Sequence, residues 1–324
     1  MSDTVLVTGG CGFIGSAVVQ ELVAQGMRVR VLDDLSKEGA TPPAGAEHRP
    51  IDLTDASATR KAFEGASRAV HLAAKIGGIG YFHKHPATIL SENNKLCSSV
   101  FEAASACRFE RLVYVSSSMV FESATRFPCR EEDLDACPSP VTAYGLSKFI
   151  GERYCRAFAE EFGLSYAIVR PFNAYGPNEY PGEEIGESHV IPDLIKKLLE
   201  GADPLSVLGD GNQTRCFTHV RDLARGIRLA LQADAARNDD FNLGTAVETP
   251  VRDLAASLWT MTGRKGVLRL KHEKPFRHDV RRRVPDVSKA KRVLGWEPKI
   301  PLDDGLREVV EWIRRSGRIA SARA

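Results

Sequence analysis

Apolar residues recur along the chain in two alternating rhythms. Short unbroken runs at 5–7, 29–32, 69–73, 112–115 and 166–169 read as strands buried on both faces. Between them, apolar positions return at helical spacing. Val18, Val19, Leu22 and Val23 form one such stripe, and 94–106 and 144–162 form two more, the last closed by Gly163. Strands that alternate with helices predict an α/β fold built on a Rossmann-type, doubly wound parallel sheet. The texture changes after Pro171. Prolines, glycines and acidic residues fill 171–192, which predicts a long loop of the kind that carries function. A helix at 192–200, a loop "LGDGNQTR" and a tail with two amphipathic helices around a basic segment follow. The division expected is a larger unit of 1–172 with 211–245, and a smaller, C-terminal substrate-binding domain of 173–210 with 246–324.

Composition narrows the class. The chain has 324 residues, 43% of them apolar, enough for a full core and an appended unit. The net charge of +2 leaves no bulk field to attract nucleic acid or a membrane. No apolar run approaches the ~18 residues of a membrane span. The opening "MSDTVLVTGG" lacks the basic and apolar regions of a signal peptide. Seven cysteines, an odd number with no CxxC pair, argue against a disulfide framework or a zinc site, so no metal is expected. The expected location is the cytoplasm.

The first chemical motif is "TGGCGFIG", with Gly9, Gly12 and Gly15 directly after a strand and opening a helix. Glycines let the turn close and the backbone approach a pyrophosphate, and the helix start supplies free N–H groups. Asp33 ends the second strand, where a carboxylate accepts both ribose hydroxyls of NAD. No arginine follows it directly, so a 2′-phosphate is poorly received. The cofactor expected is NAD.

The second motif is "RLVYVSSSMVFE", an apolar run ending in Ser116, Ser117 and Ser118 and then Met119. Alone it reads equally as a solvated strand end. Downstream, "YGLSK" puts Tyr144 and Lys148 on one helical face. A phenol, with a pKa of about 10, is a poor base at neutral pH. A nearby ammonium favours the phenolate, which then takes a proton from a substrate hydroxyl while a serine holds the oxygen. Behind a dinucleotide loop, this set reads as catalytic.

Taken together, TGGCGFIG, Asp33, HLAA at 71–74, the serines, YGLSK, RPFNAYGP at 170–177, LGDGNQTR and DVSKAKRVLGW cover nearly all of the chain. In this set the chain resembles an extended short-chain dehydrogenase/reductase of the NAD-dependent sugar-nucleotide epimerase/dehydratase family. The resemblance implies that Ser117, Tyr144 and Lys148 are catalytic. It implies that Phe13, Ile14, Asp52, Leu53, Leu72, Ala73, Ala74, Asn93 and Pro171 join Gly9, Gly12, Gly15, Asp33, Tyr144 and Lys148 around NAD. It places Asn173 on the substrate's phosphate or sugar, and Arg215 with an arginine of the 281–283 run, Arg281 by alignment, on the pyrophosphate. A homodimer is also implied, through two helices of each subunit.

"AAKIGGIG" at 73–80 and "SHVIPDLIKK" are similar to segments of GDP-fucose synthases and GDP-mannose 3,5-epimerases. On that likeness Lys75, Gly77, Gly78, Ser117, Ser118, Met119, His189 and Val190 face the substrate, a nucleotide-diphosphate sugar. Those enzymes resemble one another in a cysteine at the position of Met119, and a thioether has no proton to exchange. Asn178 stands where the synthases carry a histidine, and Ser118–Met119 where 4,6-dehydratases resemble Asp-Glu. The reading is therefore a nucleotide-sugar 4-epimerase working through a transient 4-keto sugar. The alternatives are a GDP-sugar 3,5-epimerase or 4-keto reductase, and a non-catalytic NAD-bound scaffold.

Overall fold

The computed structural model describes residues 4–37, 39–77, 79–182, 188–277 and 279–317. Its centre is a sheet of seven parallel strands: β1 (Thr4–Thr8), β2 (Arg28–Asp33), β3 (Glu47–Pro50), β4 (Arg68–His71), β5 (Arg111–Val115), β6 (Tyr166–Pro171) and β7 (Asp239–Leu243), in the order β3-β2-β1-β4-β5-β6-β7. The expected doubly wound sheet is present. β1, β5 and β6 are buried along their whole length, which is why they read as unbroken apolar runs. Successive side chains feed opposite layers: Val5 and Val7 join one core, Leu6 the other. Phe13–Ala24 and Val220–Gln232 cover the first face, and Ala56–Phe63, Pro86–Ala106 and Ala143–Phe162 the second.

A third core lies outside the sheet. Ile191, Leu194, Ile195 and Leu198 of the helix Val190–Leu199 pack with Leu254 and Leu258 of Val251–Met261 and with Leu306, Val309 and Val310 of Leu302–Arg315. A short strand, Leu205–Leu208, pairs in parallel with Leu270–Glu273 beneath them. Here the sequence pattern was incomplete. The tail holds three helices rather than two, the extra one being Ser288–Leu294. Its Ala290 and Leu294, with the following Trp296, pack on the sheet, and the Trp296 indole donates to the Asp222 carbonyl at 2.8 Å. A helix this short carries too few turns to show a periodic stripe. The helix expected at 94–106 starts at Pro86, because proline suits a first helical turn where no N–H is needed. β4 stops at His71, short of residue 73, where the Leu72 and Ala73 amides turn to the Thr8 hydroxyl, 3.2 Å from each. Among the described residues no helix is long and apolar enough to cross a membrane.

Candidate active site

The strand order turns back between β1 and β4, so their carboxyl ends part and leave a crevice, the usual ligand site of such sheets. A cavity of about 650 Å³ opens there. Its floor is the glycine loop. Gly9 has φ of +68°, and a Cβ on it would lie 2.7 Å from the Ala73 amide; a Cβ on Gly15 would lie 2.0 Å from the Gly9 carbonyl. Only bare backbone fits, and the cradle it leaves at the start of the helix Phe13–Ala24 suits a pyrophosphate. Asp33 accepts from the Cys11 amide at 3.0 Å and the Leu35 amide at 2.9 Å, which holds its carboxylate at the cavity edge. Gly12, Phe13, Ile14, Asp52, Leu53, Leu72, Ala73, Ala74 and Pro171 all line the cavity. Asn93 does not. It is buried behind the wall, clasping both backbone groups of Lys75, at 2.6 and 3.2 Å, and donating to the Ser147 hydroxyl at 3.0 Å. In this structure it supports the wall.

Ser117, Tyr144 and Lys148 come together at one side of this floor. Thr142 caps the helix that carries Tyr144 and Lys148 by accepting from the Gly145 amide at 3.0 Å, and Glu122 holds Thr142 in turn. Gly151 lets the helix approach β5, since a Cβ there would meet the Tyr114 hydroxyl at 2.0 Å. Glu152, fully buried, accepts from Ser116 at 2.6 Å and from Arg170 at 2.8 and 2.7 Å, tying helix, β5 and β6 together. These anchors fix Tyr144 against Ser117, whose hydroxyl hydrogen-bonds the phenol. Burial pushes the Tyr144 phenol up to about 12, against the pull of Ser117 and the Arg283 guanidinium. Lys148 donates to the Val115 carbonyl at 2.8 Å, and its ammonium lies 6.0 Å from the Tyr144 ring centroid. Burial brings Lys148 down to about 8. The expected lowering of the phenol by Lys148 is thus absent here: desolvation outweighs it, and the cation acting on the phenol is Arg283.

The roof comes from distant segments. Lys75, Gly77, Ser118, Met119, Asn173, His189, Val190 and Arg215 line it; Gly78 lies outside the described residues. Met119 is buried between Ile89 and Tyr144, a packing residue that also faces the cavity. Asn173 has φ of +42°, and its buried amide nitrogen has no hydrogen-bond partner among the described residues. Arg215 pairs with Asp279 at 2.9 Å. Arg281 is elsewhere: it is 72% exposed and pairs with Asp210, outside the cavity lining. Arg283, two residues on, turns inward instead, where it donates to Ser118 at 3.1 Å. Burial, and the charge of Arg215, lower Arg283 to about 9. Arg283, Asp279 and Lys37 were missed as lining residues, as was Glu179, which pairs with His189. The basic run was the only signal for Arg283, and none distinguished its three members.

Comparison with known proteins agrees with this architecture. Residues 5–244 match the model of the NAD dependent epimerase/dehydratase family. The structure of a UDP-glucose 4-epimerase from Thermotoga maritima, solved with UDP-glucose, is similar with a TM-score of 0.87 and 31% identity, over 97% of this chain and 99% of that one. A dTDP-4-dehydro-6-deoxy-D-allose reductase of a Streptomyces species is 31% identical over 96% of both chains. GDP-mannose 3,5-epimerase 1 of rice is 28% identical over 95% of this chain and 81% of the relative.

Proposed function

Since this chain belongs to the NAD-dependent epimerase/dehydratase family of sugar-nucleotide enzymes, we propose that it is a nucleotide-sugar 4-epimerase. The observation that carries this reading is the pairing of Tyr144 with Ser117 at the crevice, with the aprotic Met119 beside them. NAD, when bound, supplies a reversible hydride acceptor with a positively charged ring. Tyr144 takes the proton of the C4 hydroxyl, and Ser117 holds the oxygen through the 4-keto stage. Lys148, anchored on Val115, keeps a donor and a positive charge behind the phenol. Arg215 and Arg283 hold the pyrophosphate by charge-assisted hydrogen bonds. Gly77 and Met119 wall the sugar end, where the 4-keto ring turns over before the hydride returns.

The likeness to a 3,5-epimerase and to a 4-keto reductase keeps both as second readings. A non-catalytic scaffold has against it the intact Ser117–Tyr144–Lys148 set. A homodimer through Pro86–Ala106 and Ala143–Phe162 belongs to the same proposal. Tyr154 and Phe158 pack inward on Phe101, and Phe162, 56% exposed, is left for a partner. Sedimentation as a monomer at micromolar concentration would remove it.

The test of the reaction is turnover of a nucleotide-sugar panel in deuterium oxide, followed by NMR. A hydrogen that travels as hydride never meets solvent, so the expected product is inverted at C4 with no deuterium on ring carbons. Inversion at C3 or C5 requires a carbon acid to exchange with a protein base. Deuterium at either carbon overturns the 4-epimerase reading.

A further inference from the structure

We propose that Glu179 and His189 form a substrate-reading pair, in which the buried carboxylate holds the imidazole with its free nitrogen toward the anionic part of the substrate. This rests on the nucleotide-sugar reading of the cavity. Glu179 is a positioning residue here, and His189 is the group that touches substrate.

Three observations lead to the pair. Glu179 is 6% exposed, and its Oε2 is buried with no hydrogen-bond partner among the described residues. Burying a carboxylate this way is unfavourable unless a partner compensates, and the partner present is His189, whose Nδ1 hydrogen-bonds Oε1. Second, His189 occupies the N-cap of the helix Val190–Leu199, yet its side chain makes no cap hydrogen bond. Its ring is 55% exposed on the cavity wall. With Nδ1 engaged by the carboxylate, Nε2 projects from the opposite side of the ring. Third, this part of the wall is cationic. The charges facing His189 are Glu179, Lys37 from the loop after β2, and Arg283 from the roof. Arg283 has a buried Nε without a partner among the described residues, and the amides that open the helix stand beside it at Val190 and Ile191. Such a wall accommodates a diphosphate.

The carboxylate also sets the charge of the ring. Glu179 raises the His189 pKa above its ordinary value, against the reduced solvation at the cavity wall and the cations Lys37 and Arg283. The imidazolium, which donates to a phosphate oxygen, is thereby favoured, and the donor is lost as pH rises through that raised value. Without the negative charge of Glu179, the remaining influences all lower the pKa.

The probes are UDP and GDP, titrated calorimetrically into the purified NAD-loaded full chain from about pH 7 to about pH 9.5, above the phosphate's own titration near 6. The expected wild-type affinity falls by about tenfold across this window, the scale of one charged hydrogen bond. Glu179→Gln is expected to bind about tenfold more weakly than the wild type at pH 7 and to keep only the fall near 9 that Arg283 gives both proteins. His189→Ala is expected to show the same weak binding at pH 7 and the same residual fall near 9, which keeps the test alive if the Glu179 variant folds poorly. In turnover the loss is expected in KM. A flat wild-type profile, or a Glu179→Gln profile that overlays the wild type, overturns the pair. So does solvent deuterium at C3 or C5 that disappears in His189→Ala, because His189 is then a base. If no nucleotide sugar is turned over but UDP or GDP binding keeps its pH dependence, the epimerase reading fails and the pair stands.

Discussion

The floor and the roof of the cavity are built on different principles. The floor is contiguous in sequence and made largely of backbone. Its glycines, Asp33 and the turn after β4 sit at the ends of neighbouring strands, so the sheet sets their positions. The roof collects single side chains from 173–190, 215 and 279–283, which meet only because a separate apolar core brings their segments over the sheet. In the floor a motif and a site are nearly the same thing. In the roof, a residue's neighbour in the chain can face the opposite way, as Arg281 and Arg283 do.

If the floor does the chemistry and the roof the binding, substitutions divide accordingly. The largest effect is expected from Tyr144→Phe, which removes one hydroxyl from a site rather than from a core. Turnover should fall by at least about 100-fold, the usual scale for losing a general base, with KM and thermal midpoint little changed. Steady-state kinetics with a melting curve check it, and near-full turnover would break the comparison on the floor side. Arg283→Met is expected to raise KM by about tenfold or more, as loss of a charged hydrogen bond does. Because Arg283 also acts on the Tyr144 phenol, a small drop in turnover should accompany it. A tenfold drop in turnover with KM unchanged would move Arg283 from roof to floor.

The smallest effect concerns stability. Burial lowers His71, in the floor, to about 3, and His219, at the seam with the third core, to about 4. Each stays neutral when folded but takes a proton at an ordinary value of about 6.5 when unfolded. Their contribution is fully present above 6.5 and declines as pH falls toward the folded values. The expected slope is up to about 1.4 kcal/mol per pH unit for each histidine. Urea unfolding at about pH 7 and about pH 5 measures it. His219→Gln should remove about half of the slope if floor and seam titrate independently, and an unchanged slope would show that His219 does not contribute.

Much of the fold was legible because local rules and the tertiary structure agree. Apolar runs buried on both faces are strands of a parallel sheet whatever lies around them, and a glycine whose Cβ would lie 2.0 Å from another carbonyl admits no other residue. The sequence by itself therefore determined the sheet, the glycine cradle and the Ser117–Tyr144–Lys148 grouping, which depend on spacing along one or two elements. It did not determine the electrostatics. Tyr144 titrates high because burial removes water, which outweighs the pull of Ser117 and Arg283. Nor did it determine which arginine turns inward, that Asn93 props the wall, or that Glu179 lies against His189 across ten residues of chain. Each of these depends on distance and solvent exclusion, and only the packing of the third core against the sheet decided them.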